Sequence, residues 1–149
     1  MLNTKEELFA FEREKQKIFN KFYQEKNWPY KRIFGPENKK YDCVVRIEDK
    51  WVRVEEKYRS RNWSDLAVEL RQDTETNDPG WLYYTEADWL FYGMGERIYL
   101  VEISKLREFV KLYKDKFNTI ISKKGWGITE NLVIPWSNII RNGLGKIVK

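Results

Sequence analysis

Two carboxylates and a lysine, Asp42, Glu55 and Lys57, lie within the stretch Tyr41–Ser60 (YDCVVRIEDKWVRVEEKYRS). Its alternating pattern predicts two short strands, with Asp49-Lys50 as the two-residue turn of a β-hairpin. This register places Asp42 opposite Lys57. Because side chains alternate along a strand and opposed residues share a face, the three polar side chains are expected on one face. The other face carries the apolar residues, which are Cys43, Val45, Ile47, Val52, Val54 and Tyr58.

Such a trio is suited to metal-assisted hydrolysis of a phosphodiester. Two neighbouring carboxylates repel each other, and a hard divalent cation such as Mg2+ relieves that repulsion while keeping positions open for water and phosphate oxygens. The cation polarises the phosphoryl group, and Lys57 can orient the attacking water or neutralise charge in the transition state. The alternative is an amphipathic hairpin whose polar face is solvated and carries surface ion pairs.

The same register makes two further predictions. Arg46 lies opposite Arg53, which is unfavourable in a bare hairpin but sensible where that face meets a polyanion. Glu56 falls on the apolar side near the end of its strand, which this register does not explain. A slip of one residue would place Asp42 on the face of Glu56 instead.

The chain contains no histidine, and this excludes many competing chemistries. Ser-His and Cys-His nucleophiles, HExxH metal sites and histidine-based nucleases all require that residue. No P-loop or GxGxxG motif is present. Cys43 is the single cysteine, so disulfides and four-cysteine zinc sites are also excluded. Catalysis would therefore depend on carboxylates, lysine, tyrosine and a metal held by oxygen ligands.

Length and composition predict one soluble globular domain over residues 1–149, with 42% hydrophobic and 34% charged residues. There is no apolar run long enough to span a membrane and no signal-peptide pattern at the N-terminus, so a cytoplasmic location (the host cytoplasm for a viral protein) is expected and a membrane partner is not. The net charge of +5 favours an anionic partner, most often nucleic acid.

Periodicity predicts the elements that position the trio. Thr4 and Glu7 form a capping box for a first helix that runs to Lys26. Its apolar stripe contains Lys15, with Glu12 on or beside it. A short edge strand is predicted over Tyr30–Phe34. After the hairpin, a second helix is expected from Asn62–Asp65, with Leu66, Ala67 and Leu70 on its inner face, followed by a loop over residues 74–80.

The C-terminal half is expected to contain strands over residues 81–94 and 97–103, a third helix over 104–117, a loop over 123–127 and a short strand over 132–136. Pro135 places that last strand at the edge or the end of a sheet. Residues 140–149 are expected to form a loose basic tail. The predicted order, α-β-β-β-α-β-β-α-β, belongs to the mixed α/β class.

The combination of Asp42, a hairpin and Glu55-Glu56-Lys57 resembles the PD-(D/E)XK nuclease superfamily, with Tyr41 in place of the motif's proline. The resemblance implies a restriction-endonuclease-like α-β-β-β-α-β core, with a mixed sheet flanked by helices and an added C-terminal helix and strand. It implies that Asp42, Glu55 and the Glu56 backbone carbonyl bind Mg2+, which Mn2+ could replace, and that Lys57 is the catalytic lysine.

Two weaker assignments follow from branches of that superfamily. Enzymes that resolve Holliday junctions add a glutamate from the first helix to the metal site, and Glu12 matches that position. The phage nucleases are another branch that the chain could resemble. Some branches place a glutamine in the helix that follows the strand carrying the catalytic lysine, and Gln72 could match that residue. The alternatives are a solvated, ion-paired Glu12 and an ordinary surface Gln72.

A nucleic-acid surface is predicted beside the trio. The basic residues that could follow a phosphate backbone are Arg46, Arg53, Arg59, Arg61 and Arg71. Trp63, in an expected loop, is the candidate for stacking on a base or wedging a duplex. The alternative is a solubilising basic edge with no ligand.

These features together predict a Mg2+-dependent deoxyribonuclease, with an endonuclease favoured over an exonuclease. Because the chain has no room for a separate sequence-reading domain, branched or otherwise structured DNA is the expected substrate. A homodimer would suit the cutting of two strands. Two other classes stay open: an inactive nucleic-acid-binding domain of the same fold, and an interaction domain in which the ExK triplet is accidental.

Overall fold

The computed structural model describes residues 4–35, 40–60, 63–125 and 127–149. Within these ranges the helices are α1 (Lys5–Glu25), α2 (Trp81–Tyr84), α3 (Ile103–Tyr113) and α4 (Trp136–Arg141), with a 3₁₀ turn at Lys114–Lys116. The strands are β1 (Tyr30–Arg32), β2 (Cys43–Ile47), β3 (Lys50–Arg59), β4 (Asp65–Asp73), β5 (Asp78–Pro79), β6 (Trp89–Met94), β7 (Arg97–Glu102), β8 (Asn118–Lys124), β9 (Gly127–Pro135) and β10 (Gly145–Ile147).

The first helix, α1, forms as its sequence predicts. The Thr4 hydroxyl caps it by accepting a hydrogen bond from the Glu7 backbone N–H at 3.0 Å. The residues that α1 buries recur at helical spacing and are Lys15, Phe19, Phe22 and Tyr23. The aromatic members of this stripe pack with Cys43, Val45, Val54, Phe91, Ile98 and Leu100 of the larger sheet.

The larger sheet has six strands in the order β1-β2-β3-β6-β7-β10. β3 and β6 are parallel, and the other neighbours are antiparallel, so the sheet is mixed. The predicted mixed α/β class is therefore confirmed. The predicted strand at Tyr30–Phe34 is confirmed as the edge strand β1, and the strand at 97–103 as β7.

The hairpin turn differs from the prediction by one residue. Glu48 and Asp49 both have positive φ, at 50° and 63°, as a type I′ turn requires, and they replace the predicted Asp49-Lys50. Val44 therefore pairs with Arg53, and Arg46 with Trp51. The predicted pairings of Asp42 with Lys57 and of Arg46 with Arg53 are wrong. Each partner moves by two positions, and an even shift leaves every side chain on its predicted face.

The predicted second helix is wrong, because its residues form strand β4. Leu66 and Val68 are fully buried, and they pair with Ile134 and Leu132 of β9. The apolar positions of this stretch fit a helical spacing as well as a strand, and the partner strand decides between them. β4 belongs to a second, four-stranded antiparallel sheet in the order β5-β4-β9-β8.

Further corrections concern the connections and the C-terminus. The predicted strand at 81–94 is the short helix α2 followed by β6, and part of the expected loop at 74–80 is β5. The expected loop at 123–127 belongs largely to the β8–β9 hairpin, and Pro135 closes β9. The expected loose tail is wrong, because β10 pairs with β7 and Leu144 is buried. The third helix is confirmed as α3.

A shared apolar core joins the two sheets. It contains residues of β4 and β9 together with residues of β6, β7 and α3, including Leu66, Leu132, Leu90, Val101 and Leu106. The other face of the six-stranded sheet packs against α1. The central strand β3 therefore has a different environment on each face. None of the helices in the described ranges combines the length and apolar character that a membrane crossing needs.

Candidate active site

A cleft of about 790 Å³ lies against β3 and brings together five of the predicted site residues. Asp42, Glu55 and Lys57 line it, and so do Glu12 of α1 and Gln72 of β4. Glu55 and Lys57 reach it because alternate residues of β3 point to the same side. The structure thus gathers into one cavity residues that are up to 60 positions apart in the sequence.

The Asp42 carboxylate is held by the backbone of β3. Its Oδ2 accepts a hydrogen bond from the Glu56 N–H at 2.6 Å, and its own N–H donates to the Val54 carbonyl at 2.9 Å. Both contacts fix Asp42 just before β2 begins. One carboxylate oxygen is therefore used in positioning, and the other, Oδ1, has no hydrogen-bond partner within the described ranges.

Glu55 is a buried carboxylate, with 5% of its surface exposed. Its Oε1 lies 3.2 Å from the Lys57 ammonium, and its Oε2 lies 3.3 Å from the Thr85 hydroxyl. Burial raises the pKa of Glu55 to about 7, since the attraction of Lys57 only partly offsets it and the Asp42 carboxylate adds to it. Glu55 is therefore a carboxylate whose negative charge is incompletely compensated.

Lys57 is held as a cation. Burial lowers the pKa of Lys57, but Glu55, Tyr84 and Asp42 together more than offset this, so the pKa lies above its ordinary value. The ammonium also lies 5.8 Å from the centre of the Trp81 ring, which favours a positive charge. At neutral pH Lys57 is thus a hydrogen-bond donor and a positive charge, and it is not a general base.

Glu56 points away from the cleft, toward α1, and its partners explain the acidic residue on the apolar face. Its carboxylate accepts hydrogen bonds from Arg32 at 2.5 Å, from the Tyr23 hydroxyl at 2.5 Å and from the Cys43 thiol at 3.5 Å. The side chain is completely buried. The Glu56 backbone contacts two residues that line the cleft: its N–H donates to Asp42, and its carbonyl accepts from Lys15 at 3.3 Å.

Glu12 and Gln72 both lie at the cleft, Glu12 on the first helix and Gln72 on a strand. The Glu12 side chain is half exposed and forms an ion pair with Lys15 at 3.0 Å. Gln72 lies on strand β4, because the helix predicted there does not form, and its amide donates to the Pro79 carbonyl at 3.0 Å. Both residues are therefore near the trio with partners of their own.

The cleft offers a small set of oxygen donors to a divalent cation. Within the described ranges, no group of three or more Asp, Glu or Cys side chains is arranged to hold a metal. The available donors are the carboxylates of Asp42 and Glu55 and the Glu56 carbonyl. Mg2+ is commonly held by one or two carboxylates and keeps water and phosphate oxygens as its other ligands. Two carboxylates on one cleft fit that mode of binding, and they do not form an all-protein cage.

The predicted nucleic-acid surface is more dispersed than the trio. The described arginines are each paired with a carboxylate: Arg46 with Asp49, Arg53 with Asp88, Arg59 with Asp65 and Arg71 with Glu130. None of these arginines lines the cleft. Trp63 is half exposed, and the Arg59 guanidinium lies 5.3 Å from its ring centre. Arg61 lies outside the described residues.

Sequence reasoning missed two residues that contact the site residues, Thr85 and Lys15. Thr85, which follows α2, contacts Glu55, and the carbonyl of Thr85 accepts from Arg107 of α3 at 2.6 Å. Lys15 was counted only as a member of the helical stripe, although a lysine at a buried position was itself a signal. For Thr85 no comparable feature of the sequence indicates a contact with Glu55, because the pattern over residues 81–94 predicts a strand.

The arrangement places two carboxylates, Asp42 and Glu55, and the Lys57 ammonium along one cleft. The cleft is also wide enough to admit a phosphate group together with water. No protein-family model matches the chain, and no match was found among curated proteins or solved structures.

Proposed function

We propose that the chain is a metal-dependent nuclease that hydrolyses phosphodiester bonds in DNA. The observation that supports this most is the meeting of Asp42, Glu55 and Lys57 in one cleft, with Glu55 and Lys57 3.2 Å apart, Glu55 buried and Lys57 partly buried. Buried ionisable groups with shifted pKa values in a cleft are typical of functional sites. A solvated polar hairpin face would leave the same side chains exposed.

The element order supports a restriction-endonuclease-like core as part of this proposal. α1 is followed by the antiparallel strands β1, β2 and β3, and β6 then pairs with β3 in parallel. The departure lies in the connection between β3 and β6, which contains β4, β5 and the four-residue α2 in place of a long helix. The site residues lie on the shared part, Asp42 before β2 and Glu55 and Lys57 on β3.

In the proposed mechanism, each residue of the trio has one task. Asp42 and Glu55, with the Glu56 carbonyl, would hold Mg2+, or Mn2+ in its place. When bound, this ion supplies Lewis-acid polarisation of the phosphoryl group and charge neutralisation. The Glu56 N–H orients Asp42. Lys57 keeps its proton, so it donates hydrogen bonds to the attacking water or to a phosphate oxygen and stabilises the negative charge that develops there.

DNA with a branched or distorted structure is the proposed substrate. The arginines of the predicted nucleic-acid surface form ion pairs that are partly exposed, such as Arg53 with Asp88, and exposed ion pairs contribute about 0–1 kcal/mol each. Substrate phosphates could therefore replace these carboxylates at small cost. Trp63 is sufficiently exposed to stack on an unpaired base.

The test is cleavage of linear, branched and single-stranded DNA, and of RNA, by purified protein with Mg2+, Mn2+ or EDTA. The variants are Asp42→Asn, Glu55→Gln and Lys57→Met, which remove charge with little change of volume. Cleavage by the wild type that requires the ion and falls by about 10²–10³-fold in each variant is expected.

Glu130→Gln is the matched control, because Glu130 also pairs with a basic residue, Arg71, but does not line the cleft. It should cut like the wild type. Failure to cut any substrate, or equal cutting by all variants, would overturn the catalytic assignment. DNA binding without cleavage would favour the inactive nucleic-acid-binding domain.

A further inference from the structure

Lys15 is a buried cation in the part of the molecule where a divalent ion is proposed to bind. It is 7% exposed and belongs to the inner stripe of α1, one turn before Phe19. A lysine at such a position loses hydration, and proteins rarely bury one without oxygen partners. Its position therefore reflects the oxygens around it.

One of those oxygens belongs to the proposed metal-binding group, and the other belongs to Glu12, which lines the same cleft. The Lys15 Nζ lies 3.3 Å from the Glu56 carbonyl, which is itself a proposed ligand, and 3.0 Å from the Glu12 carboxylate. Lys15 also lines the same cleft as Asp42 and Glu55, and its charge is one of the influences that lower the pKa of Glu55. The ammonium thus supplies positive charge to oxygens that a divalent cation would otherwise use.

We infer that Lys15 is a built-in competitor for the divalent cation: its ammonium neutralises the oxygen-rich end of the cleft and moves away when the ion enters. The inference rests on the proposed function, because it concerns the ion of that site. A positive charge so close to the ligands weakens binding of a dication by like-charge repulsion. Ion occupancy then depends on release of one side chain.

The structure provides a place for the released side chain. Lys15 also lines a neighbouring cavity of about 290 Å³, whose wall carries the carboxylate of Glu69 together with the cations Lys57 and Arg59. Burial raises the pKa of Glu69, so its charge is also poorly compensated there. The flexible lysine stem can direct the ammonium into either cavity, since one side chain borders both.

The test measures Mn2+ binding by calorimetry without nucleic acid, in wild type, Lys15→Met and Lys15→Gln. Both variants remove the charge, methionine suits the apolar stripe, and glutamine keeps a donor for the Glu56 carbonyl. Each should bind Mn2+ at least about tenfold more tightly than wild type, which is a difference of about 1.4 kcal/mol. Adding Asp42→Asn to either variant should remove that binding.

Lys17→Met is the matched control. Lys17 forms an ion pair with Glu14 at 3.1 Å, with the same spacing on the same helix, but both side chains are largely exposed. Its Mn2+ affinity should equal that of the wild type in 0.15 M salt, because exposed charges are screened there. A gain as large as that of Lys15→Met would overturn a local role for Lys15.

The outcomes separate this inference from the proposed function. If the wild type binds Mn2+ and the Lys15 variants bind it equally or more weakly, the inference that Lys15 competes with the cation is overturned. The nuclease proposal then still stands. Binding by the variants alone supports the competitor and overturns metal dependence of the wild type. Absence of binding in every protein overturns both.

A measurement on the wild type covers the case in which the variants do not fold. The Lys15 side-chain 13Cε resonance should shift when Mg2+ is added, while that of Lys17 should not. An unchanged Lys15 resonance in protein that binds Mg2+ would overturn the inference.

Discussion

Glu55 and Glu56 are adjacent on β3 and both are buried, yet they have opposite environments. Glu56 faces α1, and Arg32, Tyr23 and Cys43 donate to its carboxylate. Glu55 faces the cleft, where its oxygens contact Lys57 and Thr85 at 3.2 and 3.3 Å. The contacts of Glu56 with Arg32 and Tyr23, at 2.5 Å, are much shorter.

The difference shows which buried carboxylate stabilises the fold and which is available for chemistry. A charge that is fully buried with several donors binds elements together, and here Glu56 connects α1, β1, β2 and β3. A charge with longer contacts at the wall of a cleft can accept a new partner. Burial of an acidic residue is therefore insufficient to identify a site, and the number and geometry of its donors must be considered.

Glu56→Gln should give the largest loss of stability. The substitution leaves the buried Arg32 guanidinium without its counter-charge, and breaking a buried ion pair costs about 3–5 kcal/mol. Urea unfolding at pH 7 measures the change. Glu130→Gln, which removes the carboxylate of a more exposed Arg–Glu pair, should cost about 1 kcal/mol or less. Equal losses in the two variants would show that burial of the Arg32–Glu56 pair has no special role.

Glu55→Gln should act on cleavage and spare the fold. The rate of DNA cleavage is expected to fall by about 10²–10³-fold, while the free energy of unfolding in EDTA at pH 7 stays equal or increases, because a poorly compensated buried charge is removed. Single-turnover cleavage and urea unfolding measure the two effects. The comparison between the two glutamates breaks down if Glu55→Gln unfolds as readily as Glu56→Gln.

The pH dependence of stability should carry the signature of Glu55. The pKa of its carboxyl is about 7 in the folded protein and about 4.5 when unfolded, so the folded state holds the extra proton between these values. Stability from this group is fully present below pH 4.5 and is lost as the pH rises through 7. In EDTA, as the pH rises, the free energy of unfolding of the wild type should fall by up to about 3 kcal/mol relative to that of Glu55→Gln. A difference that stays constant between pH 5 and 8 would contradict the raised pKa.

Tyr23→Phe should sharpen the description of Glu56. It removes a hydroxyl that donates to the Glu56 carboxylate at 2.5 Å, and hydrogen bonds to charged groups contribute about 1.5–3 kcal/mol. The ring and its aromatic contacts remain. Thermal or urea unfolding should show this loss with the cleavage rate unchanged once the protein is folded. A reduced rate in the folded variant would mean that the network also positions the site.

Thr85→Val should lower stability by less than Glu56→Gln or Tyr23→Phe. The Thr85 hydroxyl has one proton to share between the Glu55 carboxylate at 3.3 Å and the Lys40 carbonyl at 3.0 Å, and a bond of this kind contributes about 0.5–1.5 kcal/mol. The same unfolding measurement should give a loss below that of Tyr23→Phe. A larger loss would place Glu55 in as tight a network as Glu56.

Much of the fold was predictable where the sequence has a strong local pattern. The cap at Thr4 and the stripe of α1 define that helix, and the mixed α/β class follows from the order of elements. The stretch over residues 65–73 was not predictable, because its apolar spacing fits both a helix and a strand until β9 supplies hydrogen-bond partners. The C-terminal strand β10 was missed for the same reason, since its partner β7 lies far away in sequence.

The sequence by itself determined that Asp42, Glu55 and Lys57 share a face of the hairpin. The side-chain period of a strand is two, so the error of one residue in the turn moved the pairing by an even number and changed no face. The absence of histidine likewise restricted the chemistry before any fold was known.

Only the tertiary structure decided the surroundings of that face. Lys15 reaches the Glu56 carbonyl from 41 positions away, and Thr85 reaches Glu55 from 30. Arg32 and Tyr23 turn Glu56 from an unexplained acidic residue into part of a buried network. Local periodicity specifies the direction in which a side chain points, whereas its burial, partners and pKa depend on elements that folding brings from elsewhere in the chain.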